Sequence, residues 1–433
     1  MASCRPPILL AALALLAAWT LAACASQTCH HLDRDRLNLL DQRRPLLTSP
    51  NPQRALAALS IHQDALGQML TDALRAHARS LNQSTPIPGG DLRLTLHVDT
   101  LSVVVVDRCD HCLALRGGLS LRFSTRIHGL PILSGSLSGQ LQGELPLRLH
   151  ASSSGSTLTA DLGDARIDRV SLDADGLPRA ALDPVNAFAL DGARALLKAI
   201  PTPVTLASWA PIALPGSNLR LSASSLHTFP DRRQIWIGFA ANLPANPDPG
   251  LSPSPLLAEG EPIALTFTAD ALTALIAAMM DGDLIPDRLD DDLKPHPEGD
   301  YRVTLRAVTP HQGTLKTAFT LWHLPVDGAC YAADLEGHAA LTVKKAKDRG
   351  LRIDLNMDAL SVTSTRGDDT LLRVGLWLRS AFLGDTLAAQ ARLLAADTLA
   401  LGPLGAQRLS VKRIFAERGA VTLVGDLRPA DAP

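Results

Sequence analysis

The residues of this chain best suited to chemistry are its six cysteines, two of which form a short motif. Cys109-Asp-His-Cys112 is a CxxC segment between two strand-like stretches, and no βαβ pattern surrounds it. In a cytosolic protein this spacing would suggest redox or zinc chemistry. We predict a disulfide between Cys109 and Cys112 that closes a local turn. Zinc held by Cys109, Cys112 and His111 and thiol exchange stay open as alternatives, although no second ligand pair stands at zinc-site spacing.

Three other segments approach a chemical motif and fall short of it. Gly135-Ser-Leu-Ser-Gly139 has Leu137 where a nucleophile elbow needs serine. The segment that begins at Asp173 opens like a calcium loop, but Pro184 stands where the bidentate glutamate belongs. The aspartates between 281 and 292 are better explained by a solvated loop. We therefore expect no enzyme activity, no metal site and no cofactor.

Cys24 closes an N-terminal segment that has the order of a secretory signal. Arg5 precedes an apolar stretch over residues 8–18, and small residues then lead to the cysteine. The stretch is short for a membrane span, which takes about 20 apolar residues. Leu21-Ala22-Ala23-Cys24 resembles the lipobox of bacterial lipoproteins, which implies cleavage before Cys24 and acylation of that cysteine, palmitate being the label to test for. An ordinary signal peptide with a chance cysteine and an uncleaved anchor are the alternatives.

The same resemblance and the remaining cysteines indicate a compartment. Ala25 follows the lipobox cysteine and, in enteric-type lipoproteins, would favour the outer membrane, so we expect a lipid-anchored protein on its periplasmic face. Cys29 and Cys330 could pair with each other in that oxidising space, but the sequence does not settle their connectivity.

Composition limits the partners and the kind of interior. The formal net charge is −2, charged residues make up 19%, and no basic stripe occurs, so no nucleic-acid partner is expected. Hydrophobic residues reach 46% while aromatic residues are only 3%, so the interior is built from Leu, Ala, Val and Ile. Such an interior suits a packed core and an acyl-chain cavity equally well.

Period-two alternation of apolar and polar residues dominates the chain and predicts antiparallel strands. The longest run is Leu133 to Leu149, where glycine recurs on the apolar side. Glycine inside a strand weakens it and often marks a bend or a close approach. We interpret the apolar side as a concave face around a helix or a groove, with a glycine-bent strand around an ordinary core as the alternative. The candidate groove residues are Leu133, Gly135, Leu137, Gly139, Leu141, Gly143 and Leu145.

An internal repeat indicates the domain organisation. Residues 59–70 align without gaps to residues 265–276, and each copy runs from a short strand into a helix. A second pair, 92–103 and 351–362, is similar at a different offset, which short alternating strands produce easily. We expect a signal peptide (1–23), a tether (24–55), a first helix-plus-curved-sheet module (56–243), a Pro-rich linker (244–260) and a second, similar module (261–430). The expected fold class is α+β, with long, strongly curved antiparallel sheets each wrapped around one or two helices, the second helix of the first module falling near 186–200.

This pattern of helix, long curved strands and second helix resembles the tubular lipid-binding (TULIP) superfamily, although other bacterial lipid-carrier lipoproteins have a similar pattern. The resemblance covers most of 56–430 and rests on no superfamily-specific residue motif. It implies a coiled sheet around a long helix with an aliphatic groove for acyl chains, and hence a lipid or another amphipathic molecule as ligand. The rival hypothesis is a structural or assembly lipoprotein with a filled core, whose surface docks an envelope protein.

Overall fold

The structure is a computed structural model, and its strands belong to three antiparallel sheets. It describes residues 28–42, 54–77, 81–87, 90–107, 111–127, 130–152, 155–161, 164–173, 190–191, 194, 203–209, 212–213, 219–243, 250–281, 286–326, 329–345, 351–357, 360–367, 407–417 and 419–429. The protein is mostly β, so the predicted α+β class with sheets wrapped around helices is wrong. The helices pack against the sheets, and most of the chain forms strands that pair with one another. The sequence pattern that marks a helical segment does not show this arrangement.

The strands and helices follow one another from the N-terminal helix α1, which covers residues 28–41. Further along the chain, α2 (Gln63–His77) and α3 (Ala269–Asp281) are the α-helices with described bounds, residues 190–191 and 194 are also helical, and Pro230–Arg232 forms a 3-10 turn. In chain order the strands are β1 (Ala57–His62), β2 (Leu81–Ile87), β3 (Gly90–Val106), β4 (Cys112–Ile127), β5 (Leu130–Ser152), β6 (Gly155–Ala160), β7 (Arg166–Asp173), β8 (Val204–Trp209), β9 (Ile212–Ala213), β10 (Arg220–Phe229), β11 (Gln234–Ala241), β12 (Ile263–Thr268), β13 (Arg288–Leu289), β14 (Tyr301–His311), β15 (Thr314–His323), β16 (Tyr331–Lys345), β17 (Leu351–Met357), β18 (Ser361–Gly367), β19 (Gln407–Glu417) and β20 (Ala420–Pro429).

The central sheet combines strands from both halves of the chain in the order β19-β20-β12-β1-β11-β10-β9. Its middle pair consists of the two repeat copies: β1 and β12 run antiparallel, with Leu59 opposite Leu265. These two residues are also equivalent in the sequence repeat, so a pseudo-twofold axis passes through this pair. The helices that follow, α2 and α3, begin at equivalent positions, Gln63 and Ala269.

Each of the other two sheets belongs to one half. The first-half sheet has the order β2-β3-β4-β5-β6-β8, with β7 paired to β5, and α2 packs against β3 and β8. The second-half sheet has the order β13-β14-β15-β16-β17, with β18 paired to β16, and α3 packs against β14. One apolar core runs through all three sheets and both helices.

The central sheet is buried on both faces along β1 and β12, apart from the half-buried His62, and the outward-facing residues Ala58, Ser60 and Ala264 are small. Its inner face carries Leu59 and Ile61 into the core, while Ala58 and Trp236 lie on the outer face with Leu251 and Leu256. Residues 250–258, within the predicted linker, cover this outer face. The amide of Leu251 donates to the carbonyl of Ala55, and the amides of Leu256 and Leu257 donate to the side-chain oxygen of Gln234.

The two helices bury different kinds of face. On α2 the buried residues include Leu66, Met69 and Leu70, as the helical spacing predicts. On α3 the fully buried residues include Ala271, Ala274 and Ala278, and the equivalent Leu272 and Leu275 are only partly buried. The buried face of α3 also includes Met279 and Met280. The predicted helix near 186–200 lies largely outside the described residues.

Candidate apolar groove

The candidate site is one face of β3, β4 and β5 in the first-half sheet. β5 is 23 residues long, so the predicted run Leu133–Leu149 lies wholly inside it. Antiparallel register sets residues of the three strands opposite one another. On one face this register gives the cross-strand rows Leu94–Phe123–Gly135, Leu96–Leu121–Leu137 and Val98–Leu119–Gly139.

A bulge keeps these rows on the face that continues the core. The register of β3 against β4 shifts between Val98 and Thr100, so Asp99 is the extra residue. Without it the alternation would carry Val103 and Val105 to the face opposite Val98, since a shift of one residue exchanges the faces of a strand. With it, Leu92–Val98 and the buried Val103 and Val105 share one face.

The opposite face of the same strands is polar and exposed to solvent. Among the described residues, its exposed ones on β4 and β5 include Arg116, Arg122, Ser136, Ser138, Gln140 and Gln142. Half-buried sheets alternate in this way when one face is shielded from water. On the other face Val103, Val105, Leu113, Leu115 and Leu145 are buried, and the register places the three apolar rows farther along that same face.

At one end this face is filled by ordinary packing. Leu145, a predicted groove residue, is fully buried and shares the core with Leu113, Leu66 and Leu70. Gly143 is buried for a different reason from the predicted one. A Cβ at Gly143 would lie 2.3 Å from the carbonyl oxygen of Arg166, so the backbone of β7 leaves room only for glycine.

The other predicted groove residues lie farther along β5. Leu133, Gly135, Leu137, Gly139 and Leu141 fall in the part of β5 that pairs with β4 beyond the filled end. Gly139 is half-buried. The side-chain surroundings of Leu133, Gly135, Leu137 and Leu141 lie outside what is described, so their role as groove lining stays a prediction.

The CxxC segment leads into β4. Cys112 is buried and disulfide-bonded, while Cys109 lies outside the described residues, so the Cys109–Cys112 bond stays a prediction. His111 between them has a positive φ of 57°, and its ring lies 6.4 Å from that of His227. Burial, and then the proximity of His111, lower the pKa of His227. Among the described residues no group of side chains is arranged to hold a metal ion.

Cys29 and Cys330 form a disulfide, which settles the connectivity that the sequence left open. The bond fixes α1, within the predicted tether, on the outer face of the second-half sheet. Leu32 of α1 is buried with Trp322, Cys330 and Ala332. Leu32 and Leu39 are one heptad apart and both pack here, so their spacing in the sequence could have predicted this helix.

A polar network centred on Asp334 joins α1 to that sheet. Its carboxylate accepts hydrogen bonds from the hydroxyls of Thr320 (2.8 Å) and Ser364 (2.6 Å) and from Arg366 (3.3 Å). Arg366 also contacts Asp35 of α1 at 3.4 Å and lies over the ring of Trp322. Burial alone would raise the pKa of Asp334, but these hydroxyls and the guanidinium groups of Arg366 and Arg306 hold it below its usual value.

A small cavity lies between α1, α3 and β14. Its volume is about 50 Å³, and it is lined by residues that include Arg36, Leu40, Ala278, Asp287 and Leu305. That volume suits a few water molecules rather than a lipid, since ligand pockets usually hold roughly 300–1,000 Å³.

No protein-family model and no curated protein matches this chain in sequence. Solved structures match it at low identity and low TM-score. The crystal structure of lipopolysaccharide binding protein matches with a TM-score of 0.41 and 13% identity, over 88% of this chain and 100% of that one. P47 of Clostridium botulinum E1 matches with a TM-score of 0.38 and 10% identity, over 86% of this chain and 99% of that one. P47 of Clostridium botulinum A2 matches with a TM-score of 0.38 and 8% identity, over 87% and 98%.

At TM-scores below 0.5 and at this identity, these matches decide neither a family nor a ligand nor an activity for this chain, so the resemblance to the tubular lipid-binding superfamily stays a prediction. In the described part of the chain, no helix has the length and apolar character needed to cross a membrane. The signal peptide and Cys24 lie outside the described residues and stay predictions.

Proposed function

We propose that this protein is a lipoprotein that binds or carries a lipid or another amphipathic molecule on the apolar face of β3, β4 and β5. It is held on the periplasmic face of the outer membrane by acylated Cys24. The observation that carries the proposal is the set of cross-strand aliphatic rows, in which Gly135 and Gly139 stand opposite Phe123 and Leu119.

The length of this face supports a ligand that is long and apolar. The part of β5 from 130 to 141 has 12 residues, which at roughly 3.3 Å each span about 40 Å. An ordinary strand has about five or six residues. A face of this length and aliphatic character would bury acyl chains favourably, at about 0.8 kcal/mol per methylene group.

The two glycines reduce the bulk of the face at its middle. Each glycine has no side chain and lies opposite a large residue on β4. Glycine inside a strand makes that strand less stable than most other residues would. A face that only had to fill its own interior would be stabilised by a larger side chain at these positions. Space kept for a ligand explains why glycine is present.

A pair of matched variants tests the proposal in the purified soluble form, which lacks the lipid anchor. Gly139→Leu places a leucine on the apolar face, and Ser138→Leu places the same side chain on the exposed face next to it. We expect Gly139→Leu to lose most co-purifying lipid and most binding of a fluorescent fatty acid, with a melting temperature close to that of the parent. Mass spectrometry of organic extracts and a probe titration measure both effects, and Ser138→Leu should leave them unchanged.

The opposite pattern supports the rival hypothesis. Parent protein that carries no lipid and binds no acyl probe, together with a Gly139→Leu variant destabilised by about 1–3 kcal/mol through overpacking, would indicate a filled face. The protein would then be a structural or assembly lipoprotein that docks an envelope protein.

The anchor is tested separately in the full-length precursor. Cys24→Ser should abolish labelling with palmitate and release the protein from membranes or leave it unprocessed. A variant that stays in the membrane fraction, still labelled and processed, would show that Cys24 is not the anchor.

A further inference from the structure

Two large hydrophobic side chains are exposed among the described residues, and they belong to two elements that a disulfide joins. Val326, in the connection between β15 and β16, is 96% exposed, and Leu37 of α1 is 47% exposed. The Cys29–Cys330 disulfide joins these two elements to each other. Because single exposed apolar residues are common on proteins, Leu37 and Val326 indicate a surface only together with the residues near them.

The position of the predicted anchor gives this region its meaning. Cys24 is five residues before Cys29, and five extended residues reach at most about 18 Å. The disulfide therefore holds the acylated N-terminus close to Cys330 and Val326, whatever path residues 24–28 take. An anchor on a free tether of some thirty residues would impose no such orientation.

Packing makes this attachment rigid. Leu32 is buried against Trp322 and Cys330, and Asp35 contacts Arg366, so α1 is held by the sheet as well as by the disulfide. The first turns of α1 also expose His30, His31 and Arg34. Arg34 is cationic, and cationic groups favour contact with anionic phosphate groups at a membrane surface.

We propose that the end of the second-half sheet formed by residues 324–326 and the start of α1 faces the bilayer, with Val326 in the interfacial region. This inference rests on the lipid-anchor part of the proposed function. It adds an orientation: the turn at 312–313, at the other end of β15, points away from the membrane. The 10 residues of β15 separate the two ends by about 30 Å.

Tryptophan fluorescence in vesicles tests this orientation. Val326→Trp and, as the matched control, His311→Trp are prepared in the full-length acylated protein, since both positions are exposed and neither change disturbs packing. They are reconstituted into vesicles of phosphatidylcholine and phosphatidylglycerol with or without brominated acyl chains. After subtraction of the parent signal, we expect strong quenching at position 326 and almost none at position 311.

Each other outcome overturns a defined part of the argument. Acylated, vesicle-bound protein in which position 326 is quenched no more than position 311 would overturn the orientation and leave the anchor in place. Protein that carries no acyl group and does not bind vesicles would overturn the anchor and this inference together. In a third measurement, Cys29→Ser and Cys330→Ser are combined with Val326→Trp in one protein. We expect the quenching to fall while vesicle binding remains.

Discussion

The two repeat copies begin with the same arrangement, a short strand that leads into a helix, and then pack against different sheets. β1 with α2 and β12 with α3 are related by the pseudo-twofold axis between Leu59 and Leu265. The sheet that follows α2 contains strands of 17, 16 and 23 residues, whereas β14, β15 and β16 have 11, 10 and 15 residues. The second-half sheet in turn carries α1, a disulfide and the Asp334 network on its outer face.

We relate this difference to the two proposals above. The proposed lipid-binding face lies on the long strands of the first half. The proposed membrane-facing end lies on the second half, whose strands are shorter and which the Cys29–Cys330 disulfide fastens to the N-terminal helix. The halves can differ in this way because β1 and β12 contribute to the central sheet, while β3, β4, β5, β14, β15 and β16 belong to the other two sheets.

The largest expected effect tests whether the two helices contribute equally to stability. Leu66 of α2 and Leu272 of α3 are equivalent in the repeat, but Leu66 is fully buried and Leu272 only partly. We expect Leu66→Ala to lower the free energy of unfolding by about 2–5 kcal/mol and Leu272→Ala by about 1 kcal/mol. Urea unfolding of the soluble form measures both, and equal losses would mean that the halves are packed alike.

A smaller effect tests the fastening of α1. Asp334→Asn keeps the shape of the side chain but removes the charge that Arg366 and Arg306 face. We expect a loss of about 1–3 kcal/mol at pH 7. Glu336→Gln on the same strand is the control, because its ion pair with Lys316 is half-exposed and should contribute less than about 1 kcal/mol.

The sign of the pH dependence follows from the lowered pKa of Asp334. A carboxylate with a lowered pKa in the folded state stabilises that state above its unfolded pKa of about 3.9, and the stabilisation is lost as the pH falls through the folded value. The difference between parent and Asp334→Asn should therefore shrink below about pH 4. A difference that stays constant from pH 7 to pH 3 would mean that charge is not the cause.

Local pattern was enough to predict some of these features. The repeat offset was visible because Leu59, Asp64 and Leu66 recur as Leu265, Asp270 and Leu272, and the long strand was visible because alternation continues through Leu133–Leu149. The buried face of α2 followed from its helical spacing. Each of these features depends on residues that are close together in the sequence.

Features that depend on distant partners were missed or left open. Nothing in β1 indicates that it pairs with β12, some 200 residues away, so the central sheet shared by the two halves was not predicted. The bond between Cys29 and Cys330 spans 301 residues, and four cysteines allow three connectivities. The Asp334 network was missed because Asp334, Thr320 and Arg366 meet only when three strands are paired. At the candidate groove, sequence placed Gly143 on the right face but could not show that the backbone of β7 is its neighbour.

The smallest expected effect concerns the aspartate in the first turn of each helix. Asp270 of α3 pairs with Arg54, which precedes β1, and both side chains are partly buried. Its counterpart Asp64 faces His62 at 3.3 Å and is 77% exposed. The amide of Ala271 is already capped by the hydroxyl of Thr268, so Asp270 acts mainly through the link between the two halves.

We expect Asp270→Asn to lower the free energy of unfolding by about 1 kcal/mol and Asp64→Asn by at most about 0.5 kcal/mol. Added salt should reduce the smaller effect more, because exposed charges are screened more strongly than partly buried ones. Urea unfolding at low and at high salt measures this, and an Asp270→Asn loss as small and as salt-sensitive as that of Asp64→Asn would show that the ion pair with Arg54 does not hold the halves together.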